Sequence, residues 1–496
     1  MTELGAGFEF EHVHGPEEIT YDDNELVVVC LVRDGESWLG SFVEHYFSLG
    51  AKHLVFLDNN SSDDTVSLAS EYDGVTVLRT ETPFNTWLEG GVGQVVMRKY
   101  LIERFGKDRW SLCVDIDELF DYPYSDAIGL GSLLGYLNSK SYTAVVAQML
   151  DMFPDRPLLE GADGPDEPLK EVHRFYDISG LERLSSRDRS RNLSTYNNTL
   201  ESDEIEWFAG GLRRTVFDLP GPWLTKYPLV FCDGSLEPDP PHGVGNARIA
   251  DLTCVLYHYK FLKHFREQVA QAVKEEQYHR KSRAYKKYFE TLERNPELRL
   301  WQETSTEFEG VNELLENGFL VASEDYASWV DAEEKRHFAE DGPPEDPGAL
   351  MEELLGSRRE ERAKSLKIGK LERRILAHEE QDGEKAERIQ LLQRKLGRRD
   401  RKARELEQAL RARTEETQML GQQLFGLEQR TTQIKADLRD RGRRLRRFKQ
   451  RTERLTQRNA SLKQQIEDLE ASRAWRLLSI IHSGNEKLKT MLPPKR

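Results

Sequence analysis

The 496-residue sequence predicts the α/β class: a doubly wound, mostly parallel sheet, then a helical region and a long C-terminal coiled coil. Three observations support this prediction. Short apolar runs alternate with helical patterns in the first half of the chain, as in βαβ units. Apolar residues repeat at heptad spacing in the last quarter. The charge also divides, because residues 357–496 carry a net charge of +17 and the preceding part carries −33.

The predicted sheet begins with residues 25–32, a β-branched apolar run typical of a strand buried on both faces. Polar residues 33–36 end the run. Residues 38–49 then carry apolar side chains at helical spacing, and Gly50 is placed to cap that helix. The pattern predicts one β–α unit with Arg33 at the carboxyl end of its strand.

Three more strands are predicted at 53–57, 75–78 and 110–114, and a helix is predicted at 94–105. A polar turn, 59–65, can cap the helix that follows the second strand. Ligands of doubly wound sheets bind beyond the carboxyl ends of the strands. Arg33, Asp58, Asp115 and Asp117 all fall at such ends, so we expect them along one edge.

Two carboxylates, Asp115 and Asp117, directly follow the apolar run 110–114. Carboxylates at this spacing can converge on one hard cation, and Mg²⁺ or Mn²⁺ prefers such oxygen ligands. The cation would neutralise charge on a nucleotide diphosphate. A lone D-x-D is weak in a chain with 87 Asp and Glu residues, so its position at the sheet edge carries the prediction.

The ordered motifs resemble the family-2-like bacterial glycosyltransferases of the GT-A fold. They are Leu31-Val-Arg-Asp-Gly-Glu36, Glu44-His-Tyr46 with Leu49-Gly50, Asp58-Asn-Asn-Ser-Ser-Asp-Asp-Thr65, Gln94 and Asp115-Ile-Asp-Glu-Leu-Phe120. The resemblance covers roughly residues 25–265. Two departures are mild: Asp34 stands where Asn is usual, and Leu119 precedes the aromatic residue.

The resemblance implies a role for each of these positions. Asp58 would contact the nucleobase, and Arg33 and Gln94 would border the nucleotide pocket. Asp115 and Asp117 would hold the metal and the diphosphate.

The later part of the domain has a similar order of motifs: Gly-Gly-x-Arg at 210–213, a lysine before a strand, an isolated histidine and a late His-Tyr pair. Residues 207–214 are interpreted as a loop entering a short strand. Arg213 and Lys226 are expected to face phosphates, and His242 or His258 to bind the metal or the acceptor; His242 is the predicted ligand. The alternatives are a solvated Arg213, an exposed His242 and a hydrogen-bonded core His258.

An inverting transferase also needs a base for the acceptor hydroxyl. Spacing does not choose among the candidates Asp151, Asp155, Asp203, Glu204 and Glu206. The predicted catalytic residues are Asp117, Glu118 and Asp155, although Glu118 could instead orient the metal ligands.

The predicted function is a metal-dependent, inverting glycosyltransferase that moves a sugar from a nucleotide sugar to a glycan or lipid-linked acceptor. One alternative is a non-catalytic coiled-coil scaffold with a nucleotide-sugar- or glycan-binding domain. A nucleotidyltransferase is the second, but residues 33–36 replace the Gly-rich phosphate loop expected there. No base-reading motif is present, so we expect no nucleic-acid partner.

The four cysteines lie in or beside apolar runs, without the C-x-x-C spacing of structural zinc. Reduced thiols fit a cytoplasmic protein, peripheral at most to the inner face of the cytoplasmic membrane. Residues 1–22 are predicted to be an N-terminal tail without a secretory signal, and no apolar run is long enough for a transmembrane helix.

The C-terminal part is predicted to be a coiled coil over 357–470, after a Pro- and Gly-containing acidic linker at 341–356. With Ile389 at a and Leu392 at d, 17 of 24 core positions are apolar through Leu469. Such a rod would be about 120 Å long. Asn459 at an a position favours a parallel homodimer.

Three further segments complete the predicted organisation. They are a GT-A domain over 23–265, a helical region packed on it over 266–340, and a basic aromatic tail over 471–496. The basic rod and tail could contact anionic membrane or an acidic partner, or simply present a solvated surface. The tail resembles the Ser-x-x-Trp-Arg-Leu segment at the end of such glycosyltransferases.

Overall fold

The computed structural model describes residues 2–5, 7–160, 168–185, 197–219, 221–275, 279–340 and 355–376, and, nearer the C-terminus, 431–433, 435, 438–439, 441–447, 449–468, 471 and 477. The chain divides into two units, Met1–Gln381 and Asp382–Arg496.

The strands of the first unit are β1 Thr2–Gly5, β2 Phe8–His14, β3 Val27–Val32, β4 His53–Asp58, β5 Val75–Arg79, β6 Trp87–Leu88, β7 Gly91–Val92, β8 Trp110–Val114, β9 Glu118–Asp121, β10 Ala144–Asp151, β11 Phe175–Tyr176, β12 Leu181–Ser185, β13 Thr199–Leu200, β14 Glu206–Gly210, β15 Thr225–Phe231, β16 Glu237–Asp239, β17 Gly243–Gly245, β18 Arg248–His258 and β19 Thr306–Glu307. The helices are α1 Glu36–Leu49, α2 Thr65–Ala69, α3 Gly93–Phe105, α4 Leu130–Ser139, α5 Leu169–Val172, α6 Leu212–Phe217, α7 Phe265–Glu275, α8 His279–Arg294, α9 Glu313–Glu316 and α10 Glu324–Glu340. A further helix spans 355–376.

The central sheet has eleven strands in the order β1-β2-β5-β4-β3-β8-β15-β10-β18-β13, with β9 paired to β18. Eight strands run in one direction, and β2, β9 and β15 run against them. The sheet is therefore mixed but mostly parallel, and the α/β prediction is confirmed. The four strands and two helices predicted in the first half are found within two residues of their predicted bounds.

Helices and loops cover both faces of this sheet, as the apolar sequence of β3 requires. Val28 and Cys30 pack into one core together with α1, while Val29 and Leu31 pack into the other together with α3. Each of these β3 residues is at most 4% exposed. Burial of one such side chain contributes about 1.5–3 kcal/mol, so both faces hold β3 in place.

The N-terminal tail of the prediction instead contributes two strands to the sheet. In β2, Phe8 and Phe10 are buried and alternate with exposed Glu9 and Glu11. That alternation is the signature of a half-buried strand, but it is short, because only two of the seven residues of β2 are buried. The hydroxyl of buried Tyr21 donates to the Phe105 carbonyl oxygen at 2.6 Å, which ties the segment to the end of α3.

The segment 207–214 also differs from its prediction, because the strand comes first and a helix follows. β14 ends at Gly210, whose φ is 84°, and Gly211 has φ 62°. Two glycines in this region of backbone space turn the chain sharply, so that α6 begins at once. The turn points Arg213 of α6 towards the end of β10.

The helices after the sheet pack within the first unit. Phe265 and Val269 of α7 join a core with Leu212 and Phe217 of α6. The helix over 355–376 lies in this unit as well: Arg362 Nε donates to Asp331 Oδ1 at 2.8 Å, and Leu366 is 9% exposed.

In the second unit, the described residues between 431 and 468 are helical. The predicted heptads between 377 and 430 and nearly all of the predicted tail lie outside the described residues. None of the helices in the described part of the chain combines the length and the apolar character that crossing a membrane requires.

Candidate active site

The predicted polar residues meet at one edge of the sheet because their strands are parallel neighbours. Val32 at the end of β3 pairs with Asp58 at the end of β4, and Cys30 pairs with Val114 at the end of β8. Arg33 and Asp115 follow those strands immediately. The register therefore places Arg33, Asp58 and Asp115 at the carboxyl edge.

Asp115 is held between two cations. Its Oδ1 accepts from Arg98 of α3 at 2.6 Å, and its Oδ2 accepts from Lys226 Nζ of β15 at 2.8 Å. Burial alone would raise the pKa of Asp115, but Lys226 and Arg98 outweigh it and hold the pKa well below its usual range. Asp115 is therefore a fixed anion.

Glu118 shares Lys226 with Asp115. Lys226 Nζ donates to Glu118 Oε1 at 2.5 Å, and Glu118 Oε2 accepts from the Asp115 backbone N–H at 3.2 Å. The Glu118 side chain is 1% exposed and that of Lys226 is 4% exposed. Burial raises the pKa of Glu118 even with Lys226 beside it. A buried ammonium thus compensates two neighbouring carboxylates.

His258, the last residue of β18, lies between two further carboxylates. Its Nε2 is 3.2 Å from Asp117 Oδ2, and its Nδ1 is 2.6 Å from Asp151 Oδ1. Because the ionised Asp151 can only accept, its short contact with Nδ1 requires a proton on that nitrogen. Burial would lower the pKa of His258, but the Asp117 carboxylate raises it above its ordinary value. Burial would raise the pKa of Asp117, but His258 lowers it to about 2.

Arg213 also holds Asp151, and one of its terminal nitrogens is 3.0 Å from His258 Nδ1. Its Nε and a terminal nitrogen donate to the two Asp151 oxygens at 3.0 and 2.8 Å. The strand register aligns three of the site residues. Asp151 pairs with His258 across β10 and β18, and His258 pairs with Glu118 across β18 and β9. Three site residues therefore form one rung across three adjacent strands.

Asp117, Glu118 and His258 could hold a metal ion, because one ligand atom from each lies within 4.8 Å of the other two. Two carboxylates and one imidazole are a chemically sound set for a divalent cation. Asp151 would orient the imidazole from the second layer, as carboxylates commonly do for metal-binding histidines. Lys260 Nζ, 4.0 Å from Asp117 Oδ2, adds positive charge at the same place.

The nucleotide-binding candidates lie around this centre. A guanidinium nitrogen of Arg33 is 3.5 Å from the Asn59 carbonyl oxygen, and another is 3.7 Å from Glu275. Asp58 is fully buried and accepts from the Ser61 backbone N–H at 3.1 Å, and burial raises its pKa. Gln94 Oε1 accepts a hydrogen bond from Arg98 at 3.4 Å, and Arg98 in turn donates to Asp115.

Neither of the two other predicted residues belongs to the Asp117, Glu118 and His258 group. His242 is exposed in the turn between β16 and β17, and its Nδ1 donates to the Thr225 carbonyl oxygen at 2.9 Å. Asp155 is exposed in the loop after β10. Among the residues that the structure describes, the histidine beside the carboxylates is His258. Arg213 and Lys226 touch carboxylates, so their predicted contact with phosphates stays a prediction.

Two cations of the site escaped the sequence analysis. Arg98 follows Gln94 by one helical turn and lies on the buried face of α3. An arginine among the apolar residues of a helix is rarely buried without a partner, and this could have indicated that Arg98 pairs with a carboxylate. Lys260 directly follows the His258-Tyr259 pair, but a lysine in such a basic and acidic chain gave no signal.

The sequence matches no protein-family profile and no curated protein. Among solved structures, a UDP-glucose pyrophosphorylase from Acinetobacter baumanii is similar, with 11% sequence identity and a TM-score of 0.17. The match covers 29% of this chain and 64% of that enzyme. A similarity this weak carries no argument about activity.

Proposed function

We propose that the protein is a metal-dependent glycosyltransferase that uses a nucleotide sugar and inverts the anomeric centre. The observation that carries the proposal is the cluster of Asp117, Glu118 and His258 at the carboxyl edge of the sheet. The buried cations Lys226 and Arg98 lie next to this cluster, where Lys226 contacts Glu118 and both contact Asp115. A transferase of this kind must bind a polyanionic leaving group, and a cation site backed by fixed positive charge meets that need.

Each side chain has a defined part in the proposal. Asp117, Glu118 and His258 would hold Mn²⁺ or Mg²⁺, and the nitrogen ligand favours Mn²⁺. The bound cation would supply charge neutralisation at the diphosphate. Lys260 would add a second positive charge, and Arg33 and Asp58 would border the nucleotide.

Asp151 acts in the proposal as a positioning residue for His258. Arg213 and His258 outweigh the effect of burial and depress the pKa of Asp151 below its usual range. A carboxylate held in two such ion pairs accepts a proton poorly, so it makes a weak general base. Asp155, exposed beyond β10, remains the predicted base.

The test is a calorimetric screen of the full chain against UDP, GDP, CMP and their sugars, with and without Mn²⁺. We expect one nucleotide to bind in a metal-dependent way and its sugar to be turned over with an acceptor. Metal-dependent binding without turnover in an acceptor screen would favour the non-catalytic alternative. No binding of any nucleotide by the folded, metal-loaded protein would contradict both.

The variant Asp151→Asn should lower the affinity for Mn²⁺ by about 10- to 100-fold, because the imidazole of His258 loses its orienting partner. The matched variant Asp155→Asn should leave that affinity unchanged. Mn²⁺ titration followed by calorimetry measures both. Equal affinities in the two variants would rule out the positioning role of Asp151. Loss of turnover in Asp155→Asn with normal metal affinity would support Asp155 as the base.

Metal affinity should rise with pH until the pH passes the pKa of His258, which lies above its ordinary value of about 6.5, and should level off at higher pH. The Asp117 carboxylate raises the pKa of His258, so the imidazole is protonated below that raised value and its Nε2 must release a proton before it can bind the ion. Calorimetry in two buffers of different ionisation enthalpy should therefore detect proton release on Mn²⁺ binding near neutral pH. Binding without proton release across this range would contradict the assignment of His258 as a ligand, and His258→Gln should lose the pH dependence.

A further inference from the structure

A stripe of exposed apolar side chains runs along the helical part of the second unit. Its members are 43–74% exposed: Leu438, Leu445, Leu455, Leu462 and Ile466. All five occupy a or d positions of the predicted heptads. Exposed leucines at this spacing form one side of a coiled-coil seam. The stripe therefore needs a helix against it.

The positions beside the seam are basic on both sides. Every charged residue at the flanking e and g positions from 438 to 468 is Lys or Arg: Lys449 and Lys463 at e, and Arg444, Arg451 and Arg458 at g. All five are exposed. Residues 441–463 contain ten Lys and Arg residues and one acidic residue, Glu453. A partner helix that covers the leucines must therefore face cations along both of its own edges.

A second copy of this helix does not meet that requirement. In a parallel pair, Arg444 would face Lys449 of the other chain, and Arg458 would face Lys463. An antiparallel pair places g against g and e against e, which is again basic against basic. In the sequence before 431, the predicted heptads would instead pair Lys395 with Asp400 and Lys402 with Glu407. The predicted homodimer thus suits the earlier heptads and not residues 438–468.

We propose that residues 438–468 dock an acidic amphipathic helix of another protein. That helix would carry apolar residues at a and d and Asp or Glu at e and g. A lipid surface fits less well, because helices that lie on membranes present a broad apolar face. Here the apolar stripe is two positions wide and is interrupted by Arg441, Thr452 and Asn459.

The test mixes the full chain with a fluorescent helical peptide of about four heptads that carries Leu at a and d and Glu at e and g. A matched peptide carries Lys in place of Glu. We expect the Glu peptide to bind at least about tenfold more tightly at physiological salt, because each flanking pair changes from attraction to repulsion in the Lys peptide. Equal binding of the two peptides would overturn the proposal.

Two triple variants separate a seam from general electrostatic attraction. Arg444→Glu, Arg451→Glu and Arg458→Glu together reverse the g positions, and the preference should shift to the Lys peptide. Arg443→Glu, Arg446→Glu and Arg454→Glu change the net charge equally at f, b and c, and should keep the preference for Glu. Equal loss in both variants, or binding to phosphatidylserine vesicles without binding to either peptide, would overturn the proposal.

Discussion

Asp117→Asn should abolish metal-dependent turnover while leaving the fold intact. Asp117 would bind the ion directly, and its side chain is still 16% exposed at the sheet edge. Asparagine keeps the size of the side chain but removes the charge that both the ion and His258 face. We expect turnover to fall by about 10³-fold or more, since a bound cation contributes several kcal/mol to charge stabilisation in the transition state. Steady-state kinetics and Mn²⁺ titration measure the two effects.

The matched control is Asp108→Asn, at the opposite end of the same strand. Asp108 is exposed just before β8, and asparagine tolerates its positive φ of 55°. Turnover and metal affinity should be unchanged in this variant. A folded Asp117→Asn protein with normal turnover would contradict the proposed mechanism, whichever nucleotide the protein binds.

Lys226→Met should cause the largest loss of stability. The substitution leaves Glu118 buried without its ammonium partner and leaves Asp115 with Arg98 alone. Removing one partner of a buried ion pair typically costs about 3–5 kcal/mol, because the remaining charge stays buried and uncompensated. Chemical denaturation of the full chain, followed by a probe in the first unit, measures the change.

The pH dependence of this loss follows from Glu118. Without Lys226, its folded-state pKa rises further above the unfolded value of about 4.3. A raised folded pKa favours the folded state only at low pH, where the carboxyl group is protonated. The stability deficit of Lys226→Met should therefore be larger at pH 8 than at pH 5.

The control is Lys52→Met, which removes the exposed partner of Glu25. Exposed ion pairs contribute little, so we expect no comparable change in this variant. If Lys226→Met were as stable as Lys52→Met at pH 8, the ion pairs of Lys226 would not hold the edge together.

The first half of the sheet could be predicted because β3, β4, β5 and β8 are buried on both faces and joined by helices with clear spacing. β1 and β2 could not, since β1 has only four residues and only two residues of β2 are buried, which leaves little apolar pattern in either strand. The antiparallel β15 escaped for a different reason. Its direction depends on long-range pairing with β8 and β10, which local sequence does not encode.

The site residues divide in the same way, into those that local sequence predicts and those that depend on long-range strand pairing. Asp115 and Asp117 lie where a strand end predicts them. In the proposal the metal-binding histidine is His258, because the pairing of β18 with β9 and β10 places it beside Asp117. Local sequence does not encode that long-range pairing. Asp151 is among the candidate bases in the sequence, but in the proposal it is instead a positioning residue because Arg213 and His258 both contact it.

The rung formed by Asp151, His258 and Glu118 bears on how this chain tolerates change over evolutionary time. Substitutions along β18 that keep its apolar character would leave the rung intact. Deletion of one residue anywhere between Arg248 and Tyr257 would shift His258 by one step and turn its side chain to the opposite face of the sheet. Descendants of this sequence should therefore vary freely in the composition of β18 while its length stays constant, and insertions should accumulate in the surface loops instead.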